Sequence, residues 1–307
     1  MAVVREFFTA RGFLEVDTPI LSADTVVDRH LDPLSTTLTG VGPERTMYLQ
    51  TSPEFAMKRL MAAGGEAIFQ IARVFRQGER GNRHNPEFTL VEWYRRGDDY
   101  AAGMQLLSDL ISATLKLGPA ERITYRDAFR RHLAIDPLTI ADDELATLAR
   151  ATLSEMSAAF DDTTDRDAWL DLLLTECIEP HLGSSSSGPT ILCDYPPSQA
   201  ALAKLRHDPG SPPVAERFEL YVDGIELANG YHELLDADVL LERNVENNRL
   251  RVADGKPPLP VDSRLITAMR AGLPPCTGCA LGFDRLVMLA TGQVDIARVI
   301  PFPIERA

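Results

Sequence analysis

An arginine-rich hairpin constrains this chain more than any other segment. Residues 71–96 read IARVFRQGERGNRHNPEFTLVEWYRR. Apolar and β-branched residues at both ends predict two strands, and the glycines, asparagines and proline between them predict a long turn. A solvated loop is the commoner explanation of such charge, but the density of arginine beside His84 and Phe88 favours a ligand site. The arginines of this segment are Arg73, Arg76, Arg80, Arg83, Arg95 and Arg96.

The overall charge limits what such a loop can bind. The 307 residues contain 31 Lys and Arg against 45 Asp and Glu, for a formal net charge of −14. An acidic protein with one cationic loop suits a small polyanion better than nucleic acid or an anionic membrane. No apolar run is long enough to span a membrane, and four cysteines in so long a chain indicate a reducing cytoplasm.

The order of the predicted elements favours an α+β fold with an antiparallel sheet flanked by helices. We expect a single catalytic domain over residues 1–307, with a mainly helical insertion at about 120–188. The insertion is predicted to contain helices at 125–133, 143–151 and 165–178, and a flexible loop at 183–188. Further helices are predicted at 1–11, 53–63, 99–116, 236–253, 261–271 and 283–290. No P-loop or G-x-G-x-x-G sequence supports a Walker or Rossmann site.

A second hairpin brings two acidic residues together. The two-residue turn Asp223-Gly224 sets Tyr221 opposite Glu226 and Glu219 opposite Ala228. Alternation then places Glu219, Tyr221 and Glu226 on one face of the sheet. Two such carboxylates suit Mg²⁺, which prefers hard oxygen ligands. A solvent-exposed face is an equally good explanation of the pair.

Two further positions need partners. Glu92 shares a strand face with the apolar Phe88 and Leu90, so its carboxylate needs either a nearby arginine or a bound ammonium group. Arg285 lies in the first turn of a helix that follows Gly282, where phosphate binding is favoured. The ordinary alternative for Arg285 is an ion pair with an aspartate on the surface.

Four sequence blocks, in this order, resemble the class II aminoacyl-tRNA synthetases in the version of the lysyl enzyme. They are TSPE, RHNPEFT, ELANGYHEL and LGFDRLVML, and an N-terminal segment ending at Pro19 is similar to the first motif. The resemblance covers nearly the whole chain. The chain begins at that first motif, without the anticodon-binding OB-fold of the lysyl enzymes. It therefore most resembles the paralogues that attach lysine or (R)-β-lysine to elongation factor P.

The resemblance implies a ligase that uses ATP and Mg²⁺. Arg76 would contact the α-phosphate and the substrate carboxylate, Arg285 would contact the γ-phosphate, and Phe88 would stack on adenine. The lysyl enzymes have a glutamate where this chain has Gly78, so Glu79 is expected to take the adenine-side role. The other nucleotide-binding residues implied are His84, Asn85 and Glu226.

The resemblance also implies the remaining sites. Glu219 and Glu226 would bind Mg²⁺. Ala280 stands where the lysyl synthetases have glycine, and its methyl group is expected to favour (R)-β-lysine over α-lysine. The residues implied to line the amino-acid pocket are Glu54, Glu92, Tyr94, Asn229 and Glu233.

The partners follow from the same resemblance. Elongation factor P is the expected acceptor, tRNA and membranes are not expected partners, and a homodimer is expected to form through the first motif. An exposed apolar face on residues 3–8 would also favour a dimer. The alternatives are a free-standing synthetase-like amino-acid ligase, which charges tRNA or makes a small amide, and an inactive regulatory paralogue.

Overall fold

A computed structural model describes residues 1–153, 165–184 and 188–307. Its α-helices are α1 (Ala2–Thr9), α2 (Glu54–Ala62), α3 (Tyr100–Leu115), α4 (Tyr125–Leu133), α5 (Asp142–Thr152), α6 (Arg166–Leu173), α7 (Ala237–Ala253), α8 (Arg264–Gly272) and α9 (Phe283–Thr291). Its strands are β1 (Leu14–Glu15), β2 (Leu21–Ser22), β3 (Ser35–Leu38), β4 (Arg45–Leu49), β5 (Ala67–Phe75), β6 (Glu87–Arg96), β7 (Glu121–Thr124), β8 (Thr190–Tyr195), β9 (Leu205–Arg206), β10 (Val214–Val222), β11 (Ile225–His232) and β12 (Cys276–Gly282).

The chain divides into two compact units. The first contains Met1–Lys116 and His232–Ala307, and the second contains Leu117–Tyr231. In the first unit, β5, β6 and β12 are antiparallel neighbours, and the short β1 pairs with β5 in parallel. A separate small sheet has the order β2-β4-β3. The antiparallel α+β fold predicted from the sequence is confirmed, whereas the short strands β2 to β4 were not predicted.

The arginine-rich hairpin is formed by β5 and β6, as predicted. Phe75 at the end of β5 pairs with Glu87 at the start of β6, so residues 76–86 form the loop. Alternation along β6 then places Phe88, Leu90, Glu92 and Tyr94 on one face. On its other face Trp93 is buried against Phe8 of α1, with ring centroids 5.2 Å apart.

Helix α1 packs against the core of the first unit. Val4, Phe7 and Phe8 are each at most 5% exposed, and Phe8 stacks on Phe69 at 4.8 Å between ring centroids. Val3, predicted to share this face, is 50% exposed instead. The expectation of an uncovered apolar face on residues 3–8 is therefore wrong, because the aromatic core of the first unit already covers it. A homodimer stays a prediction from the family resemblance.

The second unit contains the β10–β11 hairpin and the helices predicted for the insertion. Its strands pair in the order β11-β10-β8-β7, and β9 pairs with the start of β10. Helix α4 has the predicted bounds, and α5 and α6 begin within one residue of prediction. The predicted loop at 183–188 falls partly on residues 185–187, outside the described residues. The insertion limits of 120–188 and the single-domain assignment stay predictions.

Candidate active site

Three buried glutamates of the first unit form an acidic cluster. Glu54 begins α2 and is 8% exposed, while Glu92 on β6 and Glu233 just after β11 are each 1% exposed. The N–H of Glu233 donates to the carbonyl of Cys276 on β12 at 3.1 Å, which fixes its backbone beside that strand. Burial of so many carboxylates requires cations or hydrogen-bond donors around them.

Glu92 is held by hydroxyl groups. Ser52 Oγ donates to Glu92 Oε2 at 2.7 Å, and Tyr94 Oη donates to Glu92 Oε1 at 2.7 Å. The sequence had allowed an arginine of this region as the internal partner, and that alternative is wrong. Burial, followed by the charge of Glu54, raises the pKa of Glu92 to about 7, although both hydroxyl bonds act in the opposite direction. A cation is still needed to keep this carboxylate ionised.

Lys58 supplies one cation to the cluster, and sequence reasoning missed it. Its Nζ lies 2.6 Å from Glu54 Oε1 and 2.5 Å from Glu233 Oε2, and its side chain is 2% exposed. Burial nevertheless raises the pKa of Glu233 to about 8, against the pull of Lys58 and with a further rise caused by Glu54. The four-residue spacing of Glu54 and Lys58 on one predicted helix could have indicated the pair.

Strand β12 forms the neighbouring part of the same face. Gly278 is the register partner of Tyr94 and Ala280 that of Glu92, and directly paired residues share a face. The methyl group of Ala280 therefore lies on the side of the sheet that carries the Glu92 carboxylate. Gly278 has no room for a side chain, since a Cβ there would overlap Tyr94 and Glu233.

The other end of this face of β6 is cationic and aromatic. The Arg76 guanidinium carbon lies 5.0 Å from the centroid of the Phe88 ring. Arg76 Nε donates to the carbonyl of Thr51 at 3.4 Å, and its Nη1 lies 3.5 Å from Glu79 Oε1. Glu79, expected on the adenine side, thus contacts the loop arginine in this structure. The Arg76–Phe88 pair offers a flat ring and a planar cation to a nucleotide.

Arg285 reaches the loop from α9. Its Nη2 donates to His84 Nε2 at 2.6 Å, and its Nε donates to the carbonyl of Arg83 at 3.2 Å. Burial and then the charge of Arg285 lower the pKa of His84, so a neutral ring accepts the bond. Asp284 instead accepts the N–H of Thr89 at 2.7 Å. Asp284 therefore ties α9 to β6, and Arg285 faces the loop.

Asn85 holds the loop to the C-terminal segment. Its Oδ1 accepts the N–H of Ile304 at 3.1 Å, and its Nδ2 donates to the carbonyl of Glu87 at 2.7 Å. The side chain is 2% exposed. Since both ends of the amide are used within the protein, direct contact of Asn85 with a nucleotide stays a prediction.

In the second unit, Glu219 lies at the centre of a hydrogen-bonded network. Tyr195 and Tyr221 donate their hydroxyls to its Oε2 at 2.7 and 2.6 Å, while Arg217 Nη2 and Asn229 Nδ2 lie 2.5 and 3.2 Å from Oε1. At 5% exposure Glu219 does not face solvent. Burial raises the pKa of Glu219, but Arg217 and the tyrosine hydroxyls outweigh burial and hold it below its usual value.

The register of this hairpin corrects the prediction. Glu219 pairs with Asn229, not with Ala228, while Tyr221 pairs with Glu226 as expected. A bulge adds one residue to β11 between these two pairs, so a uniform count from the turn is wrong by one beyond it. The predicted common face of Glu219 and Tyr221 is confirmed by their hydrogen bond.

The surroundings of Glu219 do not fit a direct Mg²⁺ ligand as they stand. A carboxylate offers about four lone-pair sites, and four protein donors already occupy those of Glu219. An ion would have to displace one of them, and the amide of Asn229 has the longest of the four contacts. Across the described ranges, no three His, Cys, Asp or Glu side chains form a metal-ligand group. Mg²⁺ binding by Glu219 and Glu226 stays a prediction.

One face of β6 therefore joins two kinds of chemistry. Glu92 lies four residues from Phe88, a separation of roughly 13 Å along a strand. The end of this face at Glu92 is acidic and can accept ammonium groups. The end at Phe88 and Arg76 is aromatic and cationic, and it can hold phosphates and a flat base. A molecule with ammonium groups at one end and a carboxylate at the other would place that carboxylate toward Arg76.

Comparison with known proteins identifies the relatives of this chain. The profile of the family described as class II tRNA synthetases (D, K and N) matches residues 1–306. Proteins named elongation factor P (R)-β-lysine ligase from Salmonella paratyphi B and Salmonella enteritidis PT4 are 48% identical over 309 aligned residues. Each alignment covers all of this chain and 93% of the relative. In the described part of the chain, no helix has the length and apolar content needed to cross a bilayer.

Proposed function

The chain belongs to the class II tRNA synthetase family (D, K and N), and from this membership we propose that it is an ATP-dependent ligase for (R)-β-lysine or lysine. The amino acid is activated as an aminoacyl-adenylate and then transferred to a lysine side chain of elongation factor P. The 48% identity to named elongation factor P (R)-β-lysine ligases over the full chain supports this acceptor.

In the first step, the substrate carboxylate attacks the α-phosphorus of ATP, a new P–O bond forms, and diphosphate leaves. Arg76 binds the carboxylate and the α-phosphate, and Arg285 binds the γ-phosphate. Phe88 supports the adenine ring, with Arg76 beside it at 5.0 Å. Positioning and charge stabilisation supply the rate, since no nucleophilic side chain is required.

In the second step, the ε-amine of the acceptor lysine attacks the carbonyl carbon of the mixed anhydride. A C–N bond forms, the C–O bond to AMP breaks, and the amine loses a proton. Mg²⁺, when bound with ATP, would neutralise phosphate charge during activation. Glu219 and Glu226 are the proposed ligands, on condition that Glu219 exchanges a protein donor for the ion.

The observation that carries the amino-acid assignment is the buried group of Glu54, Glu92 and Glu233 beside Tyr94. Three carboxylates below 9% exposure are far too costly to bury without matching cations. A diamino acid brings two ammonium groups and a carboxylate, and so complements both ends of the β6 face. Asn229, which donates to Glu219, is a further proposed contact for the amino acid.

The test is mass spectrometry of elongation factor P after incubation with the protein, ATP, Mg²⁺ and one amino acid at a time. We expect a mass increase equal to (R)-β-lysine minus water on one acceptor lysine, and a smaller yield with α-lysine. A parallel reaction contains tRNA(Lys) in place of elongation factor P. Efficient tRNA charging with an unmodified elongation factor P would overturn the proposed acceptor. We also propose that the enzyme is cytoplasmic and forms a homodimer. Sedimentation tests the homodimer.

We expect the KM for (R)-β-lysine to fall as the pH rises from about 6 to about 9. Glu92 and Glu233 have raised pKa values of about 7 and about 8, so they gain charge across this interval. The ε-amine of the substrate titrates near pH 10 and stays protonated across this interval. Binding of ammonium therefore releases protons and strengthens with pH. Steady-state kinetics at saturating ATP measure this, and a KM that is constant or increases with pH contradicts it.

We expect Ala280→Gly to shift preference toward α-lysine. Ala280 lies opposite Glu92, so its methyl group takes space beside the amino-acid backbone and disfavours an amino group on the α-carbon. A steric difference of this size is worth about 1–3 kcal/mol in discrimination. The measurement is the ratio of kcat/KM for (R)-β-lysine and α-lysine in both proteins. A ratio near one in the parent, or one that the substitution leaves unchanged, removes this role of Ala280.

A further inference from the structure

Lys58 is a buried cation inside the acidic cluster, and the proposed reaction gives it no part. It lies one turn after Glu54 on α2 and reaches Glu54 and Glu233, which come from distant parts of the chain. Its Nζ also lies 5.9 Å from the centroid of the Tyr94 ring. The ammonium group thus contacts or neighbours three of the residues proposed to hold the substrate.

The chemistry of Lys58 excludes a nucleophile or a base. Burial lowers the pKa of a lysine, but the charges of Glu233 and Glu54 outweigh burial and hold the pKa of Lys58 above its usual value. The amine is therefore protonated near neutral pH and has no lone pair to offer. What Lys58 contributes is one fixed positive charge.

The charge of the cluster then follows from its members. Glu54, Glu92 and Glu233 contribute three negative charges when ionised, and Lys58 contributes one positive charge, which leaves minus two. The other titratable groups that interact electrostatically with the cluster are neutral, because burial raises the pKa of Tyr94, Cys276 and Cys279. A diamino acid brings two ammonium groups, so the bound state is neutral. A buried site is most stable when its charges balance.

Lys58 also leaves a place for the ligand. It occupies Oε2 of Glu233, while Oε1 of the same carboxylate has no hydrogen-bond partner among the described residues. Glu233 is 1% exposed, so this oxygen is not satisfied by bulk water. Oε1 lies on the side where Gly278 carries no side chain. An unpartnered buried carboxylate oxygen is suited to an incoming ammonium group.

We propose that Lys58 is a positioning residue that sets the charge of the amino-acid pocket to minus two and thereby matches it to a substrate with two ammonium groups. This inference rests on the proposed amino-acid site. Without Lys58 the pocket would hold three negative charges against two positive ones. The carboxylates, whose pKa values are already raised to about 7 in Glu92 and about 8 in Glu233, would then keep their protons to higher pH, and ammonium acceptors would be lost near neutral pH.

The test compares Lys58→Met with the parent across pH. Loss of the cation raises the pKa of the carboxylates further, so we expect the KM for (R)-β-lysine to rise about tenfold or more near pH 7, one pKa unit being a factor of ten. The excess should shrink as the pH rises above 7, because a larger fraction of the carboxylates is then ionised. The KM for ATP should not change. Lys256→Met is the matched control, since Lys256 pairs with Asp32 outside the cluster, and it should behave as the parent.

A second variant separates charge from packing. The double variant Lys58→Met/Glu54→Gln restores a pocket charge of minus two. Because it removes both members of one buried ion pair, it can also be measured in place of the single variant if Lys58→Met does not fold. We expect it to recover part of the lost affinity and the pH profile of the parent. An equal loss at every pH in Lys58→Met, or a double variant with no recovery, would overturn the inference and leave Lys58 a packing role.

Equilibrium binding keeps this test separate from the proposed function. The dication 1,5-diaminopentane is titrated into the parent and Lys58→Met by calorimetry at several pH values. We expect the same pH-dependent loss in the variant as for (R)-β-lysine. If the parent activates neither lysine nor (R)-β-lysine, the proposed function fails, while this titration still decides the charge balance. Equal binding of the diamine by both proteins at each pH contradicts the proposed role of Lys58 in the charge balance.

Discussion

Replacement of Arg76 or of Arg285 by alanine is expected to abolish amino-acid-dependent exchange between diphosphate and ATP. Arg76 lies beside Phe88, and Arg285 reaches the same loop through His84. Each is proposed to bind phosphate oxygens whose charge changes as diphosphate leaves. Removal of one such donor costs about 3–4 kcal/mol of transition-state stabilisation, or roughly 10²- to 10³-fold in rate.

Arg80→Ala is the matched control for these variants. Arg80 belongs to the same loop, but its guanidinium forms an exposed ion pair with Glu305, and such pairs contribute little. We expect exchange within about twofold of the parent in this control. Thermal unfolding shows whether each variant is folded. Near-normal exchange in folded Arg76→Ala and Arg285→Ala would remove the proposed nucleotide site from this loop.

Gly278→Ala is expected to disrupt amino-acid binding while ATP binding persists. A Cβ at this position overlaps Tyr94 Cε1 and Glu233 Oε1, both of which are buried and cannot move into solvent. Overpacking of this kind typically costs about 1–3 kcal/mol of stability. The displaced carboxylate of Glu233 also no longer points toward the ammonium group. We therefore expect kcat/KM for (R)-β-lysine to fall by about tenfold to a hundredfold, mainly through KM.

Gly118→Ala is the control for this substitution. Gly118 has no atom within 4 Å of an added Cβ and has no positive φ, so the change should leave kinetics and stability near those of the parent. Steady-state kinetics with each substrate varied in turn separate the two binding sites. Unchanged KM for (R)-β-lysine in Gly278→Ala would show that the substrate does not use the space between Tyr94 and Glu233.

Local sequence patterns were sufficient to predict much of the fold. The β5–β6 hairpin, helix α4 and the turn at Asp223-Gly224 were predicted because alternation, helical spacing and turn residues are properties of neighbouring positions. The short strands β2, β3 and β4 escaped prediction since few of their residues are buried and their sequences carry little alternation. The bulge in β11 was not located either, because the pairing of two strands decides where an extra residue is accommodated.

The sequence by itself determined the family, the position of the arginine-rich loop between two paired strands and the shared face of Glu92 and Tyr94, all of which rest on residue type and short-range spacing. Only the tertiary structure decided which groups contact one another. It joined Lys58 to Glu233 across 175 positions of the chain, gave Glu92 two hydroxyl donors and bound Asn85 to the C-terminal segment. The physical reason is that the cost of a buried charge depends on every group that folding brings near it, whatever their distance in sequence.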